Sequence, residues 1–113
     1  MEENRRQRRI PISAEAMVHK IGTTGKVNVA LFDISNYGAS FKTTVPFRAN
    51  DRIEISISVS EDGKVVDSED VDASIRWVER SAREVQAGVK FDIMISEKGF
   101  PLFNQCLEFL KTH

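Results

Sequence analysis

Two short segments of the sequence carry residues that could together bind an anionic ligand. Arg5 and Arg9 form an Arg-x-x-x-Arg pair, and Asp33, Ser35 and Gly38 form an Asp-x-Ser-x-x-Gly pattern. Guanidinium groups bind phosphate, or the O6/N7 edge of guanine, through two parallel hydrogen bonds. The second segment adds a carboxylate, a hydroxyl and a glycine that can adopt positive φ beside a ligand. The two segments therefore predict a site for an anion with hydrogen-bonding edges, such as a guanine nucleotide.

Each segment alone also has a purely structural interpretation. Arginine-rich N-terminal segments are often solvated tails, and a Ser or Asp turn followed by glycine is ordinary hairpin chemistry. The binding interpretation depends on the joint pattern. It is strengthened by four arginines within residues 5–9 and no lysine among them.

The segments that position these residues are predicted to be short strands. Apolar and polar residues alternate with a period of two, most clearly from Arg52 to Ser60, which is the pattern of a half-buried strand. Asp62-Gly63 is a turn signal, and the acidic stretch after it is predicted to be a longer, mobile loop. The predicted strands cover residues 16–21, 27–32, 39–44, 52–60, 71–78 and 85–91.

The period changes near the C-terminus and predicts a helix. Phe100, Phe103, Leu107 and Leu110 are spaced as one helix face. Ser96 is the predicted N-cap, and Pro101 fits only in the first turn. Six strands followed by one helix predict a mostly β protein, a six-stranded antiparallel β-barrel with a C-terminal α-helix over an open end or edge.

Composition limits the class of protein. The chain has 113 residues and a formal net charge of −1, which gives no global attraction to nucleic acid. Cys106 is the only cysteine, so no intramolecular disulfide can form, and no apolar run is long enough to span a membrane. We therefore expect a cytoplasmic protein with no membrane insertion. His19 and His113 are far apart, so we expect no metal site.

At the two segments the sequence resembles the PilZ domain, a bacterial receptor module for the second messenger cyclic di-GMP. The resemblance includes Arg9-Ile10-Pro11, the Asp33–Gly38 turn, and Ala87-Gly88-Val89-Lys90-Phe91, which is similar to the late Gly-x-x-Phe strand of the family. These segments follow one another in the order of the family. The family fold is a six-stranded antiparallel barrel with a helix.

The resemblance implies a role for each motif residue. Arg5 and Arg9 would hold guanine and phosphate of cyclic di-GMP, Asp33 and Ser35 would hydrogen-bond a guanine, and Gly38 would shape the loop. Tyr37 stands where many members carry a second glycine. The residues that could add ligand contacts are Asn4, Arg6, Arg8 and Trp77.

These expectations divide the chain into a flexible arginine-rich ligand-binding arm, residues 1–9, and a barrel domain with its helix, residues 10–113. Trp77 shares a face with Ile75 and Ala73 on the alternating pattern, which places it in the core. A position at the barrel mouth would instead let it stack on a base. Cys106 is predicted to be a buried packing residue of the helix.

The implied function is a receptor that is not an enzyme and needs no cofactor. It binds cyclic di-GMP and relays the signal, through ordering of the arm, to an unidentified downstream protein effector in motility, biofilm or pilus-related signalling. The alternative is a PilZ-like adaptor that binds no nucleotide and acts through protein–protein contacts. Nucleic-acid binding through the arginines is a third hypothesis, and the net charge counts against it.

Overall fold

The computed structural model describes the backbone of residues 10–112 and the side chains of residues 14–60 and 62–112. Seven strands and one α-helix lie within this part of the chain. The strands are β1 (Ile10–Lys20), β2 (Val27–Ile34), β3 (Gly38–Thr43), β4 (Arg52–Glu61), β5 (Lys64–Asp67), β6 (Val71–Arg80) and β7 (Val85–Phe91), and the helix is α1 (Pro101–Thr112).

Six of the strands close into an antiparallel barrel. The order of hydrogen-bonded neighbours is β1-β2-β3-β7-β6-β4, and β4 also pairs with β1, which joins the two ends of the sheet. Closure leaves none of these six strands as a long open edge. The predicted mostly β, six-stranded antiparallel barrel with a C-terminal helix is confirmed.

The seventh strand, β5, corrects the loop predicted after Asp62-Gly63. β5 pairs with the end of β4 through a turn at Asp62 and Gly63, both of which have positive φ. The charged residues of β5 sit in a short strand outside the barrel, and Val65 is exposed. The strand was not predicted, because the segment is acidic and a hairpin exposed to solvent needs few apolar residues.

Helix α1 packs on β4 and β5 and begins one turn later than its predicted cap. Ser96 accepts a hydrogen bond at Oγ from the N–H of Gly99, so it stabilises the turn before the helix. The first helical N–H groups are bound instead by Glu69, whose two carboxylate oxygens accept from Leu102 at 2.9 Å and Phe103 at 2.8 Å. A carboxylate there also suits the positive end of the helix dipole.

The barrel interior and the inner face of α1 form one apolar core. Phe91 packs edge-on against Phe103 of the helix, with ring centroids 5.5 Å apart, and Phe41 packs in the same way on Phe47. Cys106 is fully buried in this core, as predicted. The core holds the strands rigidly, so the outer face of the barrel is a fixed surface.

Candidate functional site

Asp33 reaches the outer face of the barrel because β2 contains a β-bulge. Leu31 pairs with Phe41 and Asp33 pairs with the next residue, Ser40, so Phe32 is extra in the ladder. Simple alternation from the buried Leu31 would point Asp33 into the core. The bulge shifts the phase by one residue, which leaves Ile34 buried and Asp33 on the outside.

A second bulge acts in the same way on Trp77. Ile75 pairs with Val89 and Trp77 pairs with Gly88, which leaves Arg76 extra in β6. The side chain of Trp77 is 40% exposed. The prediction that Trp77 belongs to the core is therefore wrong, because it assumed unbroken alternation from Ala73 and Ile75.

The two bulges place Asp33 and Trp77 in one row across four strands. Asp33 of β2 pairs with Ser40 of β3, Ser40 pairs with Gly88 of β7, and Gly88 pairs with Trp77 of β6. Directly paired residues in antiparallel strands point to the same face. With strands about 4.8 Å apart, the row is about 14 Å long, a length suited to a ligand larger than a mononucleotide.

Gly88 leaves room for the indole of Trp77. A Cβ atom at position 88 would stand 2.0 Å from Nε1 of Trp77, well inside contact distance. The ring thus lies directly against the β7 backbone and presents its other side outward. A glycine in a strand indicates either a bulge or a close approach of other atoms, and at Gly88 the close approach is made by this indole.

The Asp33–Gly38 turn is held in shape by Ser35. The hydroxyl of Ser35 is buried and accepts hydrogen bonds from the N–H groups of Tyr37 at 3.0 Å and Gly38 at 3.3 Å. The N–H of Ser35 donates to the carbonyl of Gly38 at 2.8 Å. Ser35 therefore fixes the turn that presents Asp33. Gly38 begins β3 and does not use the positive φ that a glycine can adopt.

Asn36, which sequence reasoning did not single out, ties the same turn to the helix. Its side-chain amide donates to the carbonyl of Ile95 at 2.8 Å, and its Oδ1 accepts from Nζ of Lys111 at 3.2 Å. The N–H of Ile95 and the N–H of Phe91 donate to the carbonyls of Asn36 and Tyr37. The shape of this turn is therefore set by the protein's own hydrogen bonds.

The structure brings together only part of the predicted site. Asp33, Ser35, Gly38 and Trp77 lie on or beside the outer face just described. Arg5 and Arg9, with Asn4, Arg6 and Arg8, lie outside the described residues, as does the predicted 1–9 arm as a whole. Their roles stay predictions. The backbone at the start of β1 is described, and Pro11 pairs with Asp33, so the chain enters the barrel beside this carboxylate.

The described residues give no sign of a metal centre. Within residues 10–112 no group of three or more His, Cys, Asp or Glu side chains is placed to hold a metal ion. No helix in the same part of the chain is long and apolar enough to cross a membrane. The predicted cytoplasmic location stays a prediction.

Comparison with protein-family models decides the family. The model of the PilZ domain matches residues 3–108, nearly the whole chain. The chain belongs to the PilZ domain family. The match spans both sequence motifs, including the arginines before β1. PilZ domains are regulatory receptor domains, and membership relates this chain to cyclic di-GMP signalling.

Solved PilZ-domain structures share the fold at low sequence identity. The PilZ domain of YcgR from Escherichia coli, solved with c-di-GMP, matches with a TM-score of 0.62 at 15% identity, over 95% of this chain and 90% of that one. The motility inhibitor MotI/DgrA from Bacillus subtilis matches with a TM-score of 0.67 at 10% identity, over 92% of this chain and 50% of that one. This chain thus spans about half the length of the Bacillus protein.

A third PilZ structure is more distant. The PilZ domain of CeSA from a cellulose-synthesizing bacterium has a TM-score of 0.52 at 19% identity, over 77% of this chain and 82% of that one. No curated protein matches the sequence. The assignment to the family therefore rests on the family model, with the fold in agreement.

Proposed function

We propose that this PilZ domain binds cyclic di-GMP on the outer face of its barrel, between Asp33 and Trp77, and is a receptor rather than an enzyme. The observation that carries the proposal is the cross-strand row in which two bulges turn a carboxylate and an indole to the same face. The Asp33 carboxylate suits the N1–H and N2–H edge of guanine. The exposed indole offers a flat surface on which a base can stack.

The N-terminal arginines complete the site in this proposal. Ile10 and Pro11 pair with Ile34 and Asp33, and Arg9 directly precedes Ile10 in the sequence. Two residues of extended chain span about 7 Å at most, a reach that would let Arg9 bind a ligand held by the Asp33 carboxylate. Arg5 and Arg9 would bind guanine and phosphate by bidentate hydrogen bonds. The PilZ domain of YcgR, solved with c-di-GMP, supports this choice of ligand.

In this proposal the signal arises because the Asp33–Gly38 turn is fixed whereas the segment 1–9 moves. The Asp33–Gly38 turn is preformed by the hydrogen bonds of Ser35 and Asn36. We propose that the segment 1–9 closes over the ligand and thereby changes the shape and charge of this face. A downstream protein in motility, biofilm or pilus-related signalling would then recognise the closed face.

Titration of the purified protein with cyclic di-GMP by calorimetry tests the proposal. We expect saturable binding, and we expect Arg9→Ala to weaken it about tenfold to a hundredfold, because a charge-assisted hydrogen bond contributes about 1.5–3 kcal/mol. Arg48→Ala is the matched control, since Arg48 is an exposed arginine in the loop between β3 and β4. No binding by the wild-type protein at micromolar concentrations would contradict the proposal.

A nucleotide-independent adaptor is the second candidate, and a specific surface favours it. Tyr37, Ile93 and Met94 are large apolar residues with 37%, 62% and 49% of their surfaces exposed. They lie together because the N–H groups of Phe91 and Ile95 bond to the Asp33–Gly38 turn. A null titration together with a stable protein partner, whose binding is lost on Ile93→Asp, would favour this candidate.

A further inference from the structure

Two exposed cations beside the candidate site form no ion pair with any described residue. Arg76 is the extra residue of the β6 bulge, next to Trp77, and Lys90 of β7 pairs directly with Gly38. Both side chains are exposed. Among the described residues, neither takes part in any of the ion pairs or side-chain hydrogen bonds.

Asp92, two residues after Lys90, is already engaged by Arg52. Ser74 pairs with Lys90 on one side and Arg52 on the other, and Arg52 binds both Ser74 and Asp92. The two guanidinium nitrogens of Arg52 contact the two oxygens of Asp92. The same ion pair holds the pKa of Asp92 below its usual range. Asp92 therefore neutralises Arg52, and within the described residues neither Asp92 nor Asp72 forms an ion pair with Lys90.

Arg76 and Lys90 lie on neighbouring strands within one register step. Arg76 lies two residues after Ser74 and directly before Trp77 in β6, and the partners of Ser74 and Trp77 in β7 are Lys90 and Gly88. Residues related in this way have Cβ atoms about 5–8 Å apart, and like charges at that separation repel. Two neighbouring exposed cations that form no ion pair within the described residues make a surface to which an external anion can bind.

We propose that Arg76 and Lys90 form a phosphate subsite for the cyclic dinucleotide, which rests on the function proposed above. The ligand carries two phosphodiester groups. One would be held by the arginines that precede β1, at the Asp33 end of the row, and the other by Arg76 and Lys90 at the Trp77 end. Arg76 can bind two phosphate oxygens with its planar fork, whereas Lys90 contributes a point charge beside Gly38.

The test is a calorimetric titration of the double variant Arg76→Gln, Lys90→Gln with cyclic di-GMP in about 0.1 M salt. We expect the Kd to rise about tenfold, because two exposed charge contacts to phosphate are lost. In about 1 M salt, where the Debye length is about 3 Å, the difference from the wild type should shrink to about twofold. The thermal midpoint of the free protein should not fall, because the change removes a repulsion between two exposed cations.

The matched control is Arg48→Gln, Lys64→Gln, which removes the same charge from exposed positions in the β3–β4 loop and the β4–β5 hairpin. We expect its Kd to equal that of the wild type. Equal affinities for wild type and the Arg76/Lys90 variant would overturn the subsite while leaving the proposed function intact. An equal loss in both double variants would also overturn it, since net charge alone would then explain the effect. Failure of the wild type to bind would overturn both proposals.

Discussion

The indole of Trp77 lies against the backbone of Gly88, and a Cβ at position 88 would stand 2.0 Å from its Nε1 atom. The two residues are direct partners in neighbouring strands. Because Gly88 has no side chain, the aromatic ring of Trp77 can lie against its backbone. This contact fixes the ring on the outer face, at the opposite end of the row from Asp33.

Replacing Gly88 with alanine should dislodge the indole. The added methyl group cannot share the space of Nε1, so the ring must swing outward or the strands must separate. Overpacking of this kind costs about 1–3 kcal/mol of unfolding free energy. Because Trp77 is the only tryptophan, its fluorescence reports the change directly, and we expect the emission maximum to shift to the red. An unchanged maximum and an unchanged thermal midpoint would show that the contact is absent.

Replacing Trp77 with alanine should weaken cyclic di-GMP binding with little effect on folding. Loss of a base–aromatic stack costs about 1–3 kcal/mol, or about tenfold to a hundredfold in Kd. Trp77→Phe should recover part of the loss. Val65→Ala is the control, because Val65 is exposed on β5, outside the barrel. Wild-type affinity in Trp77→Ala would remove the indole from the binding site.

Replacing Ser35 with alanine should loosen the turn that presents Asp33. The N–H groups of Tyr37 and Gly38 would lose their shared acceptor, which costs about 1–3 kcal/mol for buried groups. Chemical denaturation measures the loss, and ligand affinity should fall with it. Ser81→Ala serves as the control. Its hydroxyl makes one exposed bond of 3.3 Å to the carbonyl of Glu84, so its unfolding free energy should change by less than about 0.5 kcal/mol. Equal effects of the two changes would contradict this role for Ser35.

Glu69 should make the stability of the helix contact depend on pH. Partial burial disfavours its charge, but the N–H groups of Leu102 and Phe103 outweigh this and hold the pKa of Glu69 below its ordinary value. A group with a lowered folded-state pKa stabilises the fold above its unfolded pKa, here about 4.3, and loses that contribution as pH falls through the folded pKa.

The measurement is the thermal midpoint of wild type and Glu69→Gln from about pH 7 down to about pH 3. We expect the variant to be less stable at neutral pH, because a charged helix cap contributes about 1 kcal/mol. The gap should close in acid, where the wild-type carboxyl is also neutral. A gap that persists unchanged at the lowest pH would contradict the prediction.

The sequence predicted the barrel well because alternation directly reflects which strand face is buried. Ile53, Ile55 and Ile57 are all buried as their spacing required, and Phe103 and Leu107 face the core from the helix. The family motif also predicts Asp33 as a ligand-binding residue from residue types and spacing alone. In both cases the sequence pattern corresponds to only one structural arrangement.

The orientation of the site could not be predicted, because a β-bulge leaves no clear mark in a single sequence. The extra residues Phe32 and Arg76 look like ordinary members of an alternating strand, yet each reverses the face of the residues that follow. Unbroken alternation therefore assigns Trp77 to the core, which is wrong. Asn36 was missed because its partners, Ile95 and Lys111, are distant in sequence.

The most direct test of the central claim is a fluorescence titration of the wild-type protein with cyclic di-GMP. If a guanine of the ligand stacks on Trp77, at the opposite end of the row from Asp33, emission of the single tryptophan should be quenched in a saturable way, with the midpoint found by calorimetry. In Asp33→Ala the same titration should require at least about tenfold more ligand, because a charge-assisted hydrogen bond to guanine is lost. Calorimetric binding that leaves the emission of Trp77 unchanged would contradict the claim that this face of the barrel is the ligand site.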